Sequence, residues 1–234
     1  MIKHWLITGD KHQQFQSICD LDTIKYPPEE TAIIILGDAG INWNLDHTDQ
    51  EVKHYLSSLG YRFYLVRGNH EERPENISNI HIWYDEEVGN SIYIEDEFPS
   101  IRYLIDGADY NLNNHHTLVL GGAYSVDKEY RIQNNWNWFP QEQLSAEERI
   151  SIFHKTQNHS YNIILSHTCP YTWRPTELFL PSIDQTTVDT STEEWLEYCS
   201  YNMWWDSWYW GHYHKDQDYS CGRHMVYNRF IEIE

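Results

Sequence analysis

Short apolar runs alternate with polar stretches of helical spacing through the first third of the chain. Trp5-Leu6-Ile7 reads as a strand, and Phe15, Ile18, Cys19 and Ile24 follow at roughly helical spacing. Pro27-Pro28 ends that segment, and Thr31 to Leu36 is a second buried strand that runs into Gly37-Asp38. A helix through Val52, Tyr55, Leu56 and Leu59 precedes a third strand, Tyr64-Leu65-Val66, which leads into Gly68-Asn69-His70. Strand alternating with helix predicts βαβ units, a mainly parallel sheet and an α/β fold.

From about Ile80 to Gly122 the pattern changes to short strands and turns, over Ser91 to Ile94, Ile101 to Ile105 and Thr117 to Leu120. Local antiparallel pairing is predicted there, with His115-His116 at a hairpin tip. Leu144 to His154 reads as a Glu-rich helix and Tyr161 to Leu165 as a strand ending in Ser166-His167. Thr192-Glu193-Glu194 opens a helix into Trp195 and Leu196. Trp204 to Trp210 and Met225 to Ile233 read as strands closing the sheet. The aromatic run from Met203 to Trp210 offers either a packed strand, which β-propensity favours, or a base-stacking surface. No internal repeat, low-complexity tract or linker interrupts the pattern, so one domain over residues 1–234 is expected.

Charge changes this picture by exclusion. The formal net charge is -20, from 16 Lys+Arg against 36 Asp+Glu, which argues against nonspecific binding to nucleic acid or to an anionic membrane. An anionic substrate stays possible, because bound metal ions reverse the sign of a local field. Cys19, Cys169, Cys199 and Cys221 are far apart and form no C-x-x-C pair, which suits a reducing cytoplasm. Cys169 precedes Pro170 with no second base evident, so it reads as a small buried residue. Met1 to Ile7 lacks the long apolar region of a signal peptide, and no apolar run approaches the ~20 residues of a membrane span. A soluble cytoplasmic chain is expected, of open oligomeric state.

The chemistry collects at the strand ends. The first strand ends in Asp10-Lys11-His12, the second in Asp38 and the third in Asn69-His70. A later strand ends in His167, and the Trp-rich strand ends in Gly211-His212-Tyr213-His214. Ligands of α/β sheets bind at this end of the strands. Asp10 and His12, like His212 and His214, stand two residues apart and share a direction if strand geometry continues. One D-x-H or H-x-H alone carries little, since such matches arise by chance. The ordered series, each member at a strand terminus, is strong.

The series GDKH, GD, GNHE, SH and GHYH resembles the calcineurin-like metallophosphoesterases over residues 10 to 214. The resemblance implies a β-sandwich of mixed sheets flanked by helices on both sides, in four layers (αββα). It implies a dinuclear centre, with Asp10, His12, Asp38 and His214 on one metal. Asp38, Asn69, His167 and His212 would hold the other, Asp38 bridging. His70 then contacts the substrate phosphate and serves as the acid, while a water or hydroxide held between the ions attacks. Imidazole, carboxylate and amide donors without thiolate suit Mn, Fe, Zn or Co better than Ca.

The resemblance makes the protein a hydrolase of a small phosphate ester or nucleotide, with a diester or nucleotide-type substrate favoured. A Ser/Thr-type protein phosphatase and a non-catalytic, metal-stabilised binding module are the alternatives. Protein Ser/Thr phosphatases carry an acidic residue and Asp-Arg-Gly after GD, whereas here Ala39-Gly40-Ile41-Asn42 follows. What orients His70 is therefore open, with Asn42 and Asp46 as candidates. Among the scarce basic residues, Arg73, Lys128, Arg131 and Arg174 lie near the motif loops, either to bind substrate or to form surface ion pairs.

Overall fold

A computed structural model describes residues 2–234. In chain order the strands are β1 (His4–Thr8), β2 (Thr31–Ile35), β3 (Arg62–Leu65), β4 (Ile80–Asp85), β5 (Asn90–Glu95) and β6 (Ile101–Tyr103). They continue as β7 (Asp109–Leu112), β8 (His115–Leu120), β9 (Ser160–Ser166), β10 (Trp204–Trp210), β11 (Gln217–Tyr219), β12 (Arg223–Met225) and β13 (Ile231–Glu232). The helices are α1 (Gln16–Cys19), α2 (His47–Ser58), α3 (Lys128–Gln133), α4 (Ala146–Thr156) and α5 (Ser191–Asn202).

A 7-stranded sheet runs in the order β13-β1-β2-β3-β6-β5-β4, and a 6-stranded sheet in the order β11-β12-β10-β9-β8-β7. Both are mixed. β1, β2, β3 and β6 are parallel, with antiparallel β13 on one side and β5 and β4 on the other. In the second sheet β8, β9, β10 and β12 are parallel, and β7 and β11 close the two edges antiparallel.

The two-residue alternation of strand side chains builds the layers. On β2, Ala32 and Ile34 point inward and pack with Trp5, Tyr64, Val119, Ile163 and Leu165 between the sheets. Ile33 and Ile35 point outward, against Phe15 and Ile18 near α1 and Leu56 of α2. On the far side, Leu118, Leu120, Ile164, Trp208 and Trp210 meet Ile152 of α4 and Leu196 and Cys199 of α5. β2 is therefore buried on both faces, which is why it reads as an unbroken apolar run. The result is the four-layer α/β sandwich with helices on both outer faces.

Some local expectations are corrected. The first helix stops at Cys19, and Ile24 is 91% exposed, because the Asp22 carboxylate accepts from the Ile24 amide and makes a turn instead. The hairpin tip is Asn113-Asn114, both with positive φ, so His115 and His116 already belong to β8. The aromatic run packs at its end, where Trp208 and Trp210 are buried, while Trp204 stays exposed. Cys169 is buried, as its sequence context predicts. No helix among the described residues is long and apolar enough to cross a membrane.

Candidate metal centre

Each parallel strand that ends in the seam between the sheets delivers one or two members of the cluster. β1 leads to Asp10 and His12, β2 to Asp38, and β3 to Asn69 and His70. β9 delivers His167 and β10 delivers His212 and His214 from the other sheet. The chain must turn sharply just past these strands. His12, Asp38, His212 and His214 accordingly sit at φ 42°, 48°, 67° and 51°. Non-glycine residues pay on the order of 1–3 kcal/mol each for such backbone, and it gathers at functional sites.

Two glycines let the carboxylates in. A Cβ on Gly68 would fall 2.0 Å from Asp38 Oδ1, and one on Gly211 would fall 2.1 Å from Asp10 Oδ1. With no side chain there, the His70 amide donates to Asp38 Oδ1 at 2.8 Å and the His212 amide donates to Asp10 Oδ1 at 2.8 Å. Each carboxylate is thus fixed through one oxygen and turns the other toward the imidazoles. Glu71 braces the same loop by accepting from the Gly68 amide at 2.9 Å. Burial, with Asp38 nearby, pushes its carboxyl up to about 8.

The free donors converge. His12 Nε2 and His214 Nε2 stand 3.0 Å apart, and His214 Nε2 is 3.3 Å from Asp10 Oδ2. Asp38 Oδ2 lies 3.8 Å from His12 Nε2 and 3.5 Å from His167 Nε2. Asp10 Oδ2 is buried without a hydrogen-bond partner. His167 places Nδ1 2.7 Å from the Leu36 carbonyl, to which it donates, and so turns Nε2 toward Asn69 Oδ1 at 2.8 Å. Asn69 in turn donates from Nδ2 to Ser125 Oγ at 2.8 Å, which leaves Oδ1 facing that imidazole. With no cation nearby Nε2 carries a proton and donates to Asn69 Oδ1, and once that proton is lost the same nitrogen and oxygen converge as metal donors, so this donor set fits a metal ion.

Electrostatics agree. Burial disfavours the charged form of His167, yet the carboxylates of Asp38 and Asp10 outweigh it and lift its pKa to about 9. His212, buried beside His167 with ring centroids 5.0 Å apart, is pushed down to about 3 by burial and by that neighbour. Burial works against ionisation of Asp38, but the imidazoles of His70, His167 and His12 hold its carboxyl well below the ordinary range. Asp10 and Asp38 stay ionised here, and imidazoles compete for positive charge.

Donor atoms of Asp10, His12 and His214 form one group of mutual reach, and those of Asp10, Asp38 and His167 another. His12, Asp38 and His70 form a third, so His70 lies as close to the cluster as the ligands do. Its Nε2 is 4.0 Å from Asp38 Oδ2. Burial, then Arg131 and His12, push its pKa down to about 4 against the pull of Asp38.

The basic residues divide. Arg131 on α3 is buried, contacts the His70 ring, donates to Asp127 Oδ2 at 2.8 Å and lies over the Trp43 ring at 4.6 Å. Arg174 borders the cavity that opens onto Asp38, Asn69, His70, His212 and His214. Lys128 instead lies over the Trp138 ring at 4.2 Å. Arg73 is buried and engaged elsewhere, on Glu148 at 2.6 Å and on the Gln141 and Gln143 carbonyls at 2.9 Å. Such a guanidinium has little left for a substrate.

The candidates for orienting His70 are also replaced. Asp46 caps α2 by accepting from the Thr48 amide, and no hydrogen bond among the described residues joins it or Asn42 to His70. Trp43 and Arg131 flank the ring instead. The Asp127–Arg131 spacing of four residues on a helix was a signal available in the sequence. Nothing in the sequence marks Trp43.

The family model for calcineurin-like phosphoesterase matches residues 4–216. Among curated proteins none matches the chain. A solved crystal structure is similar to it at 13% identity, covering 97% of this chain and 90% of that one, with a TM-score of 0.46. The matched stretch begins at β1 and ends just past His214, so it takes in every strand end that feeds the cluster, and the chain belongs to the calcineurin-like phosphoesterase family.

Proposed function

We propose that the protein hydrolyses a small phosphate ester with two metal ions held at this seam. Asp10, His12, Asp38 and His214 hold one ion, and Asp38, Asn69, His167 and His212 the other. The observation that carries the reading is the convergence of free imidazole and carboxylate atoms on Asp38 from strands of both sheets. When bound, Mn, Fe, Zn or Co ions supply Lewis acidity to phosphate oxygens and lower the pKa of an attacking water.

The chain's own groups do the rest. Asp38 presents one oxygen outward while its other is tied to the His70 amide, so the bridging carboxylate stays in place through turnover. His70 enters as a neutral imidazole, since burial and Arg131 hold its pKa low. A phosphate anion beside the ring raises its pKa, so the imidazole takes up a proton from solvent as substrate binds and passes that proton to the leaving oxygen as the P–O bond breaks, returning to neutral. Arg131 and Asp127 fix the ring's edge and Trp43 its face. Arg174 is the cation that reaches the cavity rim.

The test is turnover of p-nitrophenyl phosphate and bis(p-nitrophenyl) phosphate in Mn²⁺. Activity that a chelator abolishes and Mn²⁺ restores is expected. Absence of turnover of both esters with each of Mn²⁺, Fe²⁺, Zn²⁺ and Co²⁺ would overturn the reading in favour of a metal-stabilised binding module.

A further inference from the structure

The cavity over the cluster has about 440 Å³, enough for the organic part of a nucleotide-sized ester. Its floor is the polar edge of Asp38, Asn69, His70, His212 and His214. The opposite wall differs in kind. Phe179, Leu180, Ile183 and Val188 come from the irregular segment before α5, and Val126 faces the same space. Phe179 and Tyr213 lie near-parallel, with centroids 6.5 Å apart and planes 20° from parallel, so their flat faces offer stacking surface.

One polar group on that wall is unfinished. Glu193, in the first turn of α5, borders the cavity and is 5% exposed. Its Oε1 accepts from the Thr168 hydroxyl at 3.2 Å, whereas Oε2 is buried with no partner. A buried acceptor left unpaired is costly, and a donor arriving with a ligand removes that cost. The neighbouring Arg174 does not fill the role, because its guanidinium lies over the Tyr171 ring at 3.6 Å and its Nε donates to the Tyr171 carbonyl.

The geometry points to a substrate whose organic part is a flat, apolar-faced ring bearing one amine donor, an adenine-like or cytosine-like base, with the ring on Phe179 and the amine on Glu193 Oε2. This deepens the phosphoesterase reading and rests on it. One open acceptor calls for one donor, and stacking on aromatic faces needs a π system. A short polyol phosphate would leave the apolar wall wet. A phosphopeptide would bury backbone amides against side chains that cannot pair with them.

The test holds the leaving group constant. Three diesters that all release p-nitrophenolate are compared with Mn²⁺: methyl p-nitrophenyl phosphate, adenosine 5′-(p-nitrophenyl phosphate) and the purine riboside analogue lacking the amine. Expected is a kcat/KM for the adenosine ester about 100-fold above the methyl ester. The purine riboside ester should fall between, about tenfold below adenosine, since a site with a waiting acceptor rejects the analogue that lacks the donor. In Phe179→Ala the adenosine-to-methyl ratio should shrink toward unity, and in Glu193→Met the adenosine-to-purine-riboside ratio should do so, mainly through KM. Each ratio is read on a single preparation, and the native enzyme alone decides if a variant does not fold. Equal kcat/KM for the three esters overturns the chamber and leaves the phosphoesterase reading standing. Equal values for adenosine and purine riboside overturn the role of Glu193. No turnover of the three diesters while p-nitrophenyl phosphate is still hydrolysed overturns the base-bearing diester as substrate and leaves the phosphoesterase reading standing, whereas failure of that monoester as well overturns the reading itself.

Discussion

The His70 imidazole lies against the Trp43 indole, ring centroids 5.3 Å apart and planes 20° from parallel. Trp43 touches no reacting atom, so it is a positioning residue. Trp43→Ala should lower kcat by about 10–100-fold, the scale of a small misplacement of a catalytic group. KM and metal content should hold, and Trp43→Phe should recover most of the rate. A parallel loss of bound metal would instead make the indole a support for the whole cluster.

His70→Ala should keep both ions and lose about 10²–10⁴ in turnover. The loss should be least for a nitrophenolate leaving group and greatest for an alkoxide, which needs the proton. Equal losses on both would mean that the ring only positions phosphate. Loss of an ion would place His70 among the ligands, a position that its distance to Asp38 makes geometrically accessible.

Elemental analysis of the Mn²⁺-loaded protein should find two ions per chain. Asp38→Ala should weaken both together, whereas His12→Ala should weaken chiefly one. A single ion in the native protein refutes the bridging role. Gly68→Ala is the sterner version of the same test, since its methyl would occupy the place of Asp38 Oδ1. Overpacking of about 1–3 kcal/mol is expected, together with loss of metal, by unfolding and metal titration.

Glu193 sets a dependence of stability on pH. Burial lifts its carboxyl to about 7, with Arg174 pulling down and Asp189 pushing up, while Cys169 and Tyr213 are uncharged neighbours. With no ligand donor on Oε2 the folded state therefore holds a proton that the unfolded chain releases above its ordinary carboxyl range, whereas an amine seated there favours the ionised acceptor. Stability falls as pH rises from about 4.5 to 7, by at most about 3 kcal/mol at 1.36 kcal/mol per unit. Denaturant melts of the metal-free protein should show Glu193→Gln gaining on the native chain from pH 5 to pH 8. A constant difference across that range would show that the carboxyl titrates normally.

Arg73→Ala should cost stability without raising KM. Its ties run to Glu148 of α4 and to the carbonyls ahead of that helix. Removing them should destabilise by about 1–3 kcal/mol, read by thermal unfolding beside KM on the same substrate. A tenfold rise in KM with unchanged melting would restore a substrate role.

Much of the frame was legible because burial on two faces leaves a plain mark. β2 is an apolar run that stops at Gly37, the apolar stretch Phe63 to Val66 ends one residue short of Gly68, and the cluster follows each stop. The residues around His70 were hidden for the opposite reason. Trp43 comes from the loop ahead of α2 and Arg131 from α3, far apart in the chain, and only tertiary packing brings them to one ring. Glu193 looked like an ordinary first-turn acid, since nothing local tells that α5 turns that face inward. Ile24 misled because apolar spacing cannot register an Asp22 turn competing with the helix.

The cluster draws on both sheets, and this has a consequence for biogenesis. His12 and His214 meet across 202 residues of chain. At a synthesis rate of roughly 5–20 residues per second, the amino-terminal donors wait about 10–40 s for their partners. During that interval Asp10, His12, Asp38 and Asn69 form an open half-set on an unfinished sandwich. A nascent chain therefore lacks the full set of donors, which closes only when β10 and its histidines dock.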